Sequence, residues 1–142
     1  MRIPTVLYIV LTPVTAYAGG MLAYLLTLRV GWEETIGAEL GFVMFWGAAV
    51  YSVMVPVYFV LMYVLARRSR RRLLARSLTF GFLVSLVPGL LLFLPFGPEA
   101  MLSAESALVA VAFCTAGLLF GLCSWAYWTY LNRNVGQTRE GV

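Results

Sequence analysis

Histidine, aspartate and lysine are missing from this chain of 142 residues, and charged side chains make up only 11% of it. Without imidazole there is no ordinary haem ligation and no imidazole proton relay. The deep parts of the long apolar runs hold no ionisable group. That removes the usual machinery of an ion-coupled carrier or an intramembrane enzyme. Cysteine is scarce as well. Cys114 and Cys123, nine residues apart, point to opposite faces of a helix, so they neither chelate a metal nor bridge each other. No glycine-rich phosphate loop, zinc-ligand spacing or nucleophile motif is present. The reading is a protein with no cofactor, no metal and no catalytic activity.

What the chain has in excess is hydrocarbon: 62% of its residues are hydrophobic and its mean hydropathy is +0.90. Soluble domains carry about 25% charge and about 45–50% apolar residues. A chain this short also has too much surface to hide so many apolar groups from water. Its solvent is therefore a bilayer. Four uncharged runs are long enough to span one, since a helix needs about 20 apolar residues to cross. They cover about 3–28, 40–66, 73–96 and 106–131, with Arg76 near the start of the third. No repeat or separate domain interrupts them, and the polar tail 132–142 reads as short and mobile. The expected fold is an all-α integral membrane protein, one domain of four transmembrane helices in two antiparallel hairpins.

Arginine placement orients the bundle. Arg67, Arg68, Arg70, Arg71, Arg72 and Arg76 crowd the second connection, Arg2 precedes the first span, and Arg133 and Arg139 follow the fourth. The positive-inside rule puts these nine, and both termini, in the cytoplasm. Arg29 falls on the other side with five of the six glutamates. Trp125, Tyr127, Trp128 and Tyr130 form an aromatic belt at the inner end of span four, and Trp32 lies near the outer interface. Ala16-Tyr17-Ala18 before Gly19 matches a signal-peptidase site. The apolar run continues unbroken to Leu28, however, so the segment reads as a retained span. Arginine as the sole basic residue, with abundant Ala, Gly, Leu and Val, points to a high-GC bacterium and its inner membrane.

Small residues mark where helices meet protein. Ser77, Gly81, Ser85 and Gly89 form a stripe on span three, and Gly117 and Gly121 a GxxxG pair on span four, beside Ala112 and Ala116. Close backbone approach is how membrane helices gain contact where hydrophobicity supplies no drive. Pro13, Pro56 and Pro88 interrupt spans and shape the bundle. Pro95-Phe96-Gly97-Pro98 makes a hard turn, after which Ser103 can cap the fourth helix. Intramembrane hydroxyls either line a polar path or bond back to their own helices. Tyr51 and Tyr58 share one face around Pro56.

Two charged regions remain. The arginine loop, residues 67–76, is a topology signal that also suits anionic lipid. Arg29, Trp32, Glu33, Glu34 and Glu39 form a net acidic outer loop suited to a basic partner. No domain presents a patch for nucleic acid. The expected partners are membrane lipid, another membrane protein and a second copy of the chain. The expected function is non-catalytic binding to another membrane component through helix faces. It would be an accessory subunit of a membrane complex, or an immunity-type protein that blocks a membrane-inserting toxin. The alternative is a small homo-oligomeric transporter or channel without an intramembrane charge. Small multidrug carriers are similar in length and span count, but they depend on a glutamate in the first helix. This chain has no carboxylate between Arg2 and Arg29. An enzyme would have to work with Glu33, Glu34, Glu39, Glu99 or Glu105 at the outer rim.

Overall fold

A backbone that crosses hydrocarbon must satisfy its own polar groups, and this chain does so with helix almost throughout. The computed structural model describes residues 3–33, 37, 40–68 and 72–140. Helix α1 is Ile3–Gly31, α2 Leu40–Arg68, α3 Leu73–Phe93, α4 Pro98–Met101 and α5 Ala104–Glu140, with a 3-10 turn at Leu94–Phe96 before α4. Among the described residues four helical segments are long and apolar enough to cross a membrane: Pro4–Gly31, Val43–Arg67, Leu73–Phe96 and Ala104–Asn132. These are the spans of a multi-pass membrane protein. At 29 residues, α1 and α2 each measure about 43 Å, longer than the roughly 30 Å hydrocarbon core, so each tilts or protrudes. Pro13, Pro56 and Pro88 all lie inside continuous helices.

The turn between α3 and α5 is built from local chemistry. Gly97 has φ +94°, a conformation that an L side chain resists, and Pro98 follows as the first residue of α4. Ser103 Oγ accepts the Ser106 N–H at 3.2 Å, capping α5. At its other end α5 runs on to Glu140, where the sequence reads as a mobile tail after 131. Residues 132–140 contain no proline, and backbone bonds persist once helix is propagating.

Helix α5 is the centre of the bundle. It packs most extensively against α3 and α1, whereas α2 touches its neighbours lightly. Contacts run in opposite order along the paired helices: Tyr8 reaches Ser124, and an added Cβ at Gly20 would lie 2.7 Å from the Ala112 carbonyl oxygen. The closest approach is between α3 and α5. There an added Cβ at Gly81 or Gly117 would strike the other's carbonyl oxygen, and one at Gly121 would lie 2.5 Å from the Ser77 carbonyl oxygen. Gly89 is different. Its added Cβ meets Ala110 Cα only at 3.7 Å, because the two helices diverge toward the turn.

Large aromatics pin α2 at the end nearest the arginine-rich connection. Phe120 is fully buried, with ring centroids 5.0 Å from both Tyr58 and Phe59. Tyr8 packs edge-on against Phe59 and stacks on Tyr127 at 4.0 Å. Tyr58 and Ser85 share a hydrogen bond, and Ser85 Oγ donates to the Gly81 carbonyl at 2.7 Å. A hydroxyl has a single proton, so Tyr58 donates to Ser85. The relay ties α2 to α3.

Candidate functional site

Toward the opposite end the same helices carry small residues where the aromatics would be. Gly20 closes tightly on the Ala112 carbonyl and Ala116 of α5, whereas Gly47 on α2, facing them, leaves space between three spans. The result is a partly open cavity of about 420 Å³ between α1, α2 and α5. Its walls include Tyr17, Tyr24, Trp46, Tyr51 and Phe113, and Phe96 from the 3-10 turn closes one end. No lining residue is charged. Tyr17 props the site open. Its hydroxyl donates to the Met44 carbonyl at 2.7 Å, bridging α1 to α2 across the face of Gly47.

Below the cavity lies a layer of hydroxyls. Tyr8 bonds Ser124 at 2.9 Å, and Tyr127 donates to Thr5 at 3.0 Å. Most others bond back to their own helix: Thr15 to Leu11, Thr27 to Ala23, Ser52 to Ala48 and Ser77 to Leu74. These bonds consume the donors that a continuous polar path would need. Cys114 and Cys123 are free thiols, with Cys123 Sγ 3.9 Å from Thr15 Oγ1. Tyr51 is buried, and its hydroxyl, like the buried Trp128 indole nitrogen, has no hydrogen-bond partner among the described residues. Such a group costs about 1–3 kcal/mol. Tyr51→Phe is therefore expected to raise the thermal midpoint or leave it unchanged, while Tyr58→Phe lowers it. A drop for Tyr51→Phe equal to that for Tyr58→Phe would show that the Tyr51 hydroxyl is satisfied after all.

The structure brings the small-residue candidates together. Ser77, Gly81 and Ser85 meet Gly117 and Gly121, and all are buried, as is Gly89. Among the described residues no charged candidate lines the cavity. Arg29 and Glu33 are exposed and Trp32 is half-buried. Trp32 N–H extends the last turn of α1 to the Leu28 carbonyl, and Glu33, at φ +54°, leaves the helix. Glu34 and Glu39 lie outside the described residues. In the arginine loop, Arg67, Arg72 and Arg76 are exposed, and Arg67 stacks 4.6 Å from the Tyr63 ring centroid. Arg70 and Arg71, with Arg2, lie outside the described residues, as do the side chains of Arg68, Arg133 and Arg139. Among the described residues no group of His, Cys, Asp or Glu could hold a metal ion.

Sequence reasoning did not locate the cavity. Gly20, Ala112 and Ala116 are visible as small residues, but small residues signal close packing and empty space alike. Only their alignment with Gly47 on a helix held off by Tyr17 separates the two. Compared with protein-family models, curated proteins and solved structures, the chain matches none of them.

Proposed function

We propose that this protein is a non-catalytic membrane protein that acts by binding another membrane component through a helix face, as an accessory subunit or an immunity-type protein. In this reading it sits in a bacterial inner membrane, with both termini and the arginine loop in the cytoplasm. The observation that carries it is the outward face of α2. Phe45, Val53 and Val60 are 70%, 72% and 65% exposed, and between them Ala49, Ser52 and Pro56 are exposed too. Small residues on one helix face admit a second backbone closely. On α3 and α5 the small residues Ser77, Gly81, Gly117 and Gly121 meet each other inside the chain, whereas those on α2 stay exposed and open to a partner. The exposed loop residues Arg29 and Glu33 lie at the same end as the start of α2, where they add charge selectivity.

A photo-crosslinking amino acid at Val53 tests this in native membranes. The expected product is a single adduct of defined mass with a second membrane protein, lost when Ala49 and Ser52 are both replaced by leucine. Lipid adducts alone would overturn the reading. The transporter alternative rests on the cavity and the hydroxyl layer beneath it. It predicts a clean homo-oligomer on mild detergent extraction and solute flux in proteoliposomes.

A further inference from the structure

The cavity between α1, α2 and α5 has a chemistry that selects its occupant. It holds about 420 Å³, within the roughly 300–1,000 Å³ of small-molecule sites. None of its lining side chains is charged, and the Tyr17 hydroxyl is already given to the Met44 carbonyl. An ordered water needs about 2–4 polar partners, and among the described lining residues the Tyr51 hydroxyl is the buried polar group left unpaired, which offers one. A charged or strongly polar solute would be stripped of hydration with at most one hydroxyl in return. Left empty, the walls would forfeit the dispersion contacts that a filled site gives them. What remains is hydrocarbon. Every lining residue belongs to a span, Phe96 as the last residue of the third, so the neighbouring solvent is lipid tails. Flat aromatic walls, with Gly47, Ala112 and Ala116 between them, leave room for an unbranched chain.

We propose that this cavity is a binding site for one hydrocarbon tail of a membrane lipid. The proposal is separate from the α2 face: the tail enters behind Gly47 and Val50, whereas the protein partner meets Val53 and Ala49. Loss of one leaves the other measurable.

Gly47 offers a clean way to fill the site. An added Cβ there meets only Tyr17, at 3.7 and 3.9 Å, which is ordinary contact. Gly20 would not serve, since its Cβ would press on the α5 backbone at 2.7 Å. The experiment titrates the delipidated full-length protein in detergent with phosphatidylcholine brominated in its tail. The reading is tryptophan quenching, for which Trp46 in the cavity wall is the reporter. Wild type is expected to show a saturable component at about one probe per protein, absent in Trp46→Phe. Gly47→Leu puts a side chain where the tail would lie and should weaken binding about tenfold or more by steric exclusion. Val50→Phe fills the site from one turn further along α2 and should do the same, with helix content and gel-filtration profile unchanged. Quenching that never saturates, equal in wild type and both variants, would overturn the site. Saturation by a brominated free fatty acid but not by the phospholipid would overturn the assignment to a membrane lipid. Should both variants misfold, the wild-type and Trp46→Phe titrations decide the matter alone.

Discussion

Replacing Gly117 by leucine should abolish recovery of the folded bundle. An added Cβ at this position strikes both Ser85 Oγ and the Gly81 carbonyl oxygen, so the obstruction includes backbone and cannot be relieved by a rotamer change. The helices would have to separate, losing the close backbone approach of Gly81 to Gly117. The expected loss is about 3 kcal/mol or more, the upper end for overpacking. Gly81→Ala should show the same effect in milder form, against the roughly 1 kcal/mol that alanine gains in helix propensity. Gly89→Ala, on the same stripe, meets Ala110 at an ordinary 3.7 Å and should be neutral or slightly stabilising. Monodisperse yield by gel filtration and the thermal midpoint in detergent check all three. Equal yields for Gly117→Leu and Gly89→Ala would refute the α3–α5 interface described above.

Phe120→Ala carries the second large effect. Phe120 is fully buried and touches Tyr58 and Phe59, the residues that hold α2 against α5. In water, Phe→Ala loses both transfer free energy and packing. In a bilayer the dissociated helices still keep the ring in hydrocarbon, so the transfer part largely cancels. The void remains, and it should cost about 2–3 kcal/mol by the cavity term. Because α2 is otherwise tied mainly by the Tyr58–Ser85 and Tyr17–Met44 bonds, the loss should not spread evenly. Amide exchange is expected to rise more in α2 than in α5. Uniform exchange across the four spans would mean that α2 is not pinned by this stack.

The spans were readable because their signal is length. Any uncharged run of more than about 20 residues must be helix to satisfy its backbone in lipid. The structural ends agree within a few residues except in α5, where helix continues to Glu140 through a segment that hydropathy cannot distinguish from coil. The Ser103 cap was readable too, since a capping hydroxyl acts on a neighbour three residues away. Pairing was harder to read. Short connections suggest that each span packs on its sequence neighbour, yet α1 packs chiefly on α5 and only lightly on α2.

Composition and run length by themselves determined the solvent, the number of crossings and the absence of any charge deep in the spans. Those are properties of single segments, set by the cost of polar groups in hydrocarbon. Only tertiary structure decided that Gly81 and Gly117 touch while Gly89 stands off, and that Gly20 closes on the Ala112 carbonyl while Gly47 borders a cavity. A glycine removes a side chain in the same way in either setting. Whether the gap is filled by a neighbouring backbone or left open depends on where a second helix lies, and that position is fixed by distant bulky residues such as Tyr17 and Phe120.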